Sequence, residues 1–110
     1  MLDDKKIRIA NGQGFWGDSP QAPIDLVTNS NIDYLTMDYL AEVTLSIMQK
    51  QKNKNPKAGY ATDFVKFLEG SLPTIKKRKI KIVTNAGGVN PAECRRQILK
   101  VAKSLGVDIK

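Results

Sequence analysis

The sequence predicts an α/β fold: a three-layer sandwich around a short, mainly parallel sheet of three to four strands. Two observations carry that prediction. Short β-branched runs alternate with segments of helical hydrophobic period along the chain, and the glycines gather in loops directly after the first and third of those runs. A third sets the scale, since 110 residues with 41% hydrophobic and 26% charged side chains suit one soluble globular domain spanning residues 1–110.

The first strand is Lys6-Ile7-Arg8-Ile9-Ala10, feeding the loop Asn11-Gly12-Gln13-Gly14-Phe15-Trp16-Gly17. Ser19 and Pro20 then read as N-cap and first helical residue of a short helix ending near Asn29, with Ala22, Leu26 and Val27 as its apolar face and Pro23 inside the first turn. Ile32–Met37 is the second strand. It runs through Asp38-Tyr39 into a helix where Leu40, Val43, Thr44, Ile47 and Met48 recur at the spacing of one buried face.

Lys52 to Ala58 carries no period and reads as a loop. Thr62 or Asp63 caps the next helix, with Phe64, Val65, Phe67 and Leu68 inward; Gly70 ends or bends it, and Leu72-Pro73-Thr74-Ile75 restarts it. Ile80–Thr84 is the third strand. After Asn85-Ala86-Gly87-Gly88-Val89, Asn90 caps a last helix with Pro91 as its first residue and Cys94, Ile98, Val101, Ala102 and Leu105 along one side. Val107-Asp108-Ile109 reads as the opening of a fourth strand. Right-handed crossovers make such a sheet parallel and covered on both faces. With so few strands its edges stay open, so the chain is expected to be the front portion of something longer, or else to meet a partner along an edge.

Several chemistries are excluded by composition. The chain has one cysteine, Cys94, and no histidine, so an internal disulfide, a Cys/His zinc site and a Ser-His or Cys-His catalytic pair cannot be built within one copy. No apolar stretch approaches the length of a membrane span, and the opening Met1–Lys6 lacks the apolar core of a signal peptide; a cytoplasmic location is expected, without membrane contact. The net charge of +7 is uneven: residues 1–49 carry −4 and residues 50–110 carry +11. The basic runs Lys50–Lys57 and Lys76–Lys79 with Lys81 have no interleaved aromatics for base stacking, and read as solvated helix ends rather than a nucleic-acid surface.

In parallel sheets the ligand crevice lies beyond the carboxyl ends of the strands, which selects the loops Asn11–Asp18, Asp38–Glu42 and Asn85–Pro91. Gly12, Gly14, Gly17, Gly87 and Gly88 there allow backbone amides to approach a phosphate or carboxylate. Asn11, Asn85 and Asn90 offer hydrogen bonds, and Phe15 with Trp16 forms a wall or packs over the sheet end. Asn11 and Asn85 face each other if the third strand lies beside the first. Asp38 and Glu42, sharing a helix face, are the candidates for acid/base work beside Asp18; capping and solvation account equally for Asp18, the helix dipole's preference for first-turn acids accounts for Asp38 and Glu42, and no metal is assigned. Gly12, Gly14 and Gly17 also spell a dinucleotide fingerprint, with Asp38 where a ribose-binding acid would fall. Against it, the helix starts after Gly17, and Asp18 stands where a pyrophosphate would arrive.

Four segments, Asn11–Asp18, Asp38–Glu42, Gly59–Phe64 and Thr84–Pro91, resemble in order and approximate spacing the N-terminal part of the AtuA-like acyclic terpene utilisation family. The resemblance covers nearly the whole chain. It implies a catabolic setting beside enzymes that activate and carboxylate branched acyl-CoA thioesters, and a protein that continues past this chain. With the glycine loops it points to an anionic small metabolite such as an acyl-CoA as ligand, and the expected partners are a carboxylase-related protein or a second copy. Within Gly59–Phe64, Tyr60 and Asp63 open a helix that is expected to close over the pocket. No catalytic residues or cofactor transfer from the family.

Overall fold

The computed structural model describes residues 6–109. Its elements are β1 (Ile9–Gln13), α1 (Gln21–Asn29), β2 (Tyr34–Met37), α2 (Glu42–Lys54), α3 (Thr62–Arg78), β3 (Lys81–Thr84) and α4 (Pro91–Leu105). The three strands form a parallel sheet in the order β1-β2-β3. The expected α/β class and parallel sheet are therefore present. Both crossovers step in one direction, so a right-handed path lays α1 and α3 on the same face, where α4 packs beside α3. Leu35 and Met37 point into that layer and are fully buried, with Val27, Phe64, Leu68, Leu72, Ile75 and Val101 completing the core. On the opposite face the register sets Ile9, Tyr34 and Lys81 in one row and Asn11, Thr36 and Val83 in the next. Ile9 is 66% and Val83 60% exposed, so the described residues leave this face of the expected sandwich bare.

Strand β1 reaches further than the glycines suggest. Its pairing with β2 runs through Asn11 and Gln13 across a bulge at Gly12. A Cβ at Gly12 would lie 3.0 Å from the Pro23 side chain and 3.1 Å from Leu35. The glycine there serves close approach of α1 to the sheet, a packing need rather than a turn.

Helix α2 buries a narrower seam than its period implies. Thr44 and Met48 are buried, whereas Val43 is 71% exposed and Ile47 also faces solvent. The helix docks by one line of contact: Met48 sits where Gly88 has no side chain, and the Lys52 ammonium donates to the Val89 carbonyl at 3.1 Å. Helix α3 runs unbroken through Gly70 and Pro73. Pro73 is exposed, so water can reach the Glu69 carbonyl it leaves without a donor, and burial of Leu68, Ser71, Leu72 and Ile75 along the other side outweighs the cost. Its N-cap is Ala61, not Thr62 or Asp63, because the Ala61 amide is held by the Ala86 carbonyl at 2.8 Å. Asp63 instead occupies the first turn, where the helix dipole favours an acid.

Asn90 and Pro91 start α4 as expected, although Leu105 is exposed. The segment Val107–Ile109 joins no strand: Gly106 is left-handed and the Val107 amide closes back on Ala102, which turns the chain at the helix end. Two stability effects follow. Gly70 has open space around its Cβ position, so Gly70→Ala raises the urea-unfolding free energy by about 0.5–1 kcal/mol through helix propensity. Asn90→Ala removes an α4 cap and two donors to loop carbonyls, and lowers it by roughly 2–3 kcal/mol.

Candidate functional site

The carboxyl ends of the strands are organised by the turn from β3 to α4. Buried Asn90 donates its side-chain amide to the Pro56 and Ala58 carbonyls, both at 2.9 Å, while its oxygen accepts the Glu93 amide at 3.4 Å. The Val89 amide donates to the Gly59 carbonyl at 2.9 Å. The segments Gly59–Phe64 and Thr84–Pro91 are thus pinned to each other. Gly59 and Gly88 are left-handed, and a Cβ on Gly88 would fall 2.7 Å from the Gly59 carbonyl oxygen, so only glycine fits there. Asn85 ties this turn to β2, accepting the Tyr39 amide at 2.8 Å and donating to the Asp38 carboxylate at 2.7 Å. That donor, together with the Leu40 amide, holds the Asp38 carboxyl below the ordinary carboxylate value.

The loop after β1 answers its own charge. The Asp18 carboxylate accepts the Gly14 amide at 3.0 Å and the Ser19 amide at 2.8 Å. The amides that a ligand anion would approach are in part satisfied from within. Gln13 is buried and donates to the Phe15 carbonyl at 2.6 Å, which fixes the exit from the strand. Gly17 supplies the left-handed bend, with φ of 97°.

Beyond β1 and β2 lies a cavity of about 540 Å³. Pro23, Ile24, Met37 and Phe67 form its apolar wall, and Gln13, Asp18, Asp63 and Lys66 bring polar groups to it. This volume is within the usual range for small-molecule sites. Tyr39 also lines the cavity while only 1% exposed. Burial, with Asp63 and Cys94 nearby, pushes its phenol well above the ordinary value, so it stays a neutral hydroxyl able to donate a hydrogen bond. The set combines one neutral donor, one ammonium and two carboxylates around an apolar body. Such a site offers hydrogen-bonding and charged groups beside an apolar surface in a partly open hollow.

Of the expected residues the structure brings Gly17, Asp18 and Asp63 to this cavity, while Tyr60, expected beside Asp63, does not line it. Asn11 stands on the bare sheet face, where its amide nitrogen, turned toward the carbonyls, reaches Gln13 at 2.9 Å and Thr36 at 3.0 Å. The order β1-β2-β3 sets β2 between Asn11 and Asn85, which do not face each other. Gly12 lies in the bulge, Phe15 is exposed, and Trp16 is half-buried against the core. Asp38 and Glu42 are exposed and do not line the cavity. Gly87 borders a second hollow of about 390 Å³, alongside Phe64, Cys94 and Ile98. Burial raises the Cys94 thiol, which keeps it a packing group. Among the described residues no three His, Cys, Asp or Glu side chains gather in a cation-binding cluster. Tyr39 and Lys66 carry no sequence signal of a site, and Phe67, expected only as a core residue of its helix, also lines the cavity. Tyr39 and Asp63 belong to the Asp38–Glu42 and Gly59–Phe64 segments, and Lys66 and Phe67 lie on the next turn of the helix that Asp63 opens.

A protein-family model described as acyclic terpene utilisation family protein AtuA matches residues 7–110. No curated protein and no solved structure matches the chain.

Because Asp38 titrates below its ordinary value of 3.8 in the folded chain, the Asn85–Asp38 tie contributes stability above that pH and loses it as pH falls through the lowered value. Replacing Asn85 with Ala removes the largest cause. The Asp38 carboxyl carbon, followed by NMR titration, is expected to show a higher midpoint in Asn85→Ala than in the parent; an unmoved midpoint would contradict the tie.

Proposed function

The chain belongs to the acyclic terpene utilisation family AtuA, and from that premise we propose that it binds a branched acyl metabolite in the cavity beyond β1 and β2. The supporting observation is the composition of that cavity. An apolar wall of Ile24, Met37, Pro23 and Phe67 suits a branched hydrocarbon, and Lys66 at the same cavity suits an anionic or strongly polarised head. The head is a carboxylate or the thioester carbonyl of an acyl-CoA, whose nucleotide portion stays outside a space of this size. Tyr39 donates to the carbonyl oxygen, and the carboxylates of Asp18 in the loop after β1 and Asp63 in the first turn of α3 exclude a second anion. A role in acyclic terpene or branched-chain acyl-CoA catabolism, in the cytoplasm, belongs to the same proposal.

Compared with the sequence expectation, this reading moves the anion from the glycine amides to Lys66. The Gly14 amide already serves Asp18, and the Gly88 amide serves the Asn85 carbonyl at 3.1 Å. The same occupancy weighs against a dinucleotide in the glycine loop. A second reading, a non-catalytic subunit of an acyl-CoA carboxylase system, is favoured by one observation, the uncovered sheet face with Ile9 and Val83 exposed.

Calorimetric titration with a branched medium-chain acid and its CoA thioester tests the cavity. Lys66→Ala is expected to weaken binding roughly tenfold, as loss of one charged hydrogen bond of about 1.5 kcal/mol implies, whereas Lys100→Ala on α4 leaves it unchanged. Equal weakening by both, or no binding by the parent chain, would refute the assignment.

A further inference from the structure

The polar groups of the cavity beyond β1 and β2 divide by depth. Asp63 and Lys66 are exposed and Asp18 is half-buried, so the charges stand at the mouth. Deeper, two neutral side chains line the same space: Gln13, 4% exposed, and Tyr39, 1% exposed. They sit side by side at the ends of neighbouring strands. Gln13 pairs with Met37, just ahead of Tyr39, and its backbone carbonyl accepts the Asp38 amide at 3.0 Å. Each of the two side chains has a polar atom left over. The Gln13 amide nitrogen is taken up by the Phe15 carbonyl at 2.6 Å, but its Oε1 has no donor among the described residues. The Tyr39 hydroxyl likewise has no partner among them; only its backbone amide is bonded, to Asn85. Among the described residues no side-chain polar atom is both closed off and unpartnered, so these two atoms open on the cavity that their residues line.

The two atoms ask for opposite things. Burial keeps the Tyr39 phenol neutral and able to donate, whereas an amide oxygen only accepts. A carboxylate or thioester carbonyl answers Tyr39 and has no hydrogen to give Gln13; a hydrocarbon answers neither. A buried acceptor covered by a ligand without a donor loses its hydration, and a site built around such a group rejects that ligand. We propose, on the acyl reading of this cavity, that its ligand is a hydroxyacyl compound whose hydroxyl donates to Gln13 Oε1 while its carbonyl oxygen accepts from Tyr39. The hydroxyl stands on the first or second carbon beyond the carbonyl. Neighbouring strands lie about 4.8 Å apart, so groups at their ends are met by ligand atoms only a few bonds from each other. Farther along the chain a hydroxyl would fall against Pro23, Ile24 and Met37. An ammonium in the hydroxyl's place also donates, but it brings a full charge to a depth where only a neutral amide meets it.

Calorimetric titration of the full chain compares isocaproic acid with its α- and β-hydroxy derivatives and with leucine, which carries an ammonium at the α position. One hydroxy acid is expected to bind at least tenfold tighter than isocaproic acid, and leucine no tighter than it. Tyr39→Phe weakens the plain and hydroxylated acids by a similar factor and leaves their ratio unchanged. Gln13→Met removes the accepting oxygen at nearly constant size and brings the ratio close to one, with circular dichroism reporting the fold. Gln13→Glu restores an accepting oxygen and returns the preference, even where its charge weakens both acids. Each variant is read as a ratio of two ligands on one protein, so a general loosening of the loop at Phe15 cancels. Equal affinity of the parent chain for plain and hydroxylated acids overturns the proposal and leaves the acyl assignment standing; no binding of any of the four removes both. A preference for leucine, or a ratio unmoved in Gln13→Met, would also overturn it.

Discussion

The turn from β3 to α4 is the constraint on which the strand ends depend. Asn90 reaches three backbone groups on two segments, Asn85 reaches a third segment at Asp38 and Tyr39, and Gly88 lets Met48 and Gly59 come within contact. Four stretches far apart in sequence meet there through side-chain amides and glycine carbonyls. This explains why asparagine and glycine recur in those stretches. Small size and paired donor and acceptor are needed at each, and neither a charged nor a larger apolar residue supplies both.

With that turn fixed, α3 has a defined start at Ala61, and one face of its first two turns carries Asp63, Lys66 and Phe67 toward the ends of β1 and β2. The cavity is thus a consequence of where α3 begins. Its polar groups come from α3, from the end of β1 and the loop after it, and from Tyr39 beyond β2; its wall comes from α1, β2 and α3. The bulge at Gly12 and the bend at Gly17 bring the loop over it, while the Asp18 carboxylate keeps that loop closed on itself. Asp63 and Lys66 therefore reach the cavity from a helix, with the glycines shaping the loop beside them.

The α/β class, the parallel strands and the α4 cap were legible in the sequence because alternation of periods and the Asn90-Pro91 pair are local signals. The extension of β1 through Gly12 was not, since only the Leu35 and Pro23 neighbours reveal that glycine as a packing choice. Nor was the continuity of α3 across Pro73, where burial on one side overrides a local breaker. The seam of α2 was read too broad because period gives direction and not width. Of the strand-end residues that the sequence offers, Gly17, Asp18 and Asp63 border the cavity, whereas Asn11, Asn85 and Asn90 hydrogen-bond to other parts of the chain, which only the fold reveals. Lys66 carries no motif of its own; it is one lysine among many until the fold sets it beside Tyr39.

Occupation of the space between the ends of β1 and β2 and helix α3 by an acyl ligand is directly open to measurement. A ¹⁵N-resolved NMR titration of the full chain with a branched medium-chain acid locates the ligand residue by residue. Shift changes are expected to be confined to the amides of Gly17, Asp18, Met37, Tyr39, Asp63, Lys66 and Phe67. Changes centred instead on Gly87, Cys94 and Ile98, around the second hollow, or on Ile9 and Val83 of the open sheet face, would contradict it.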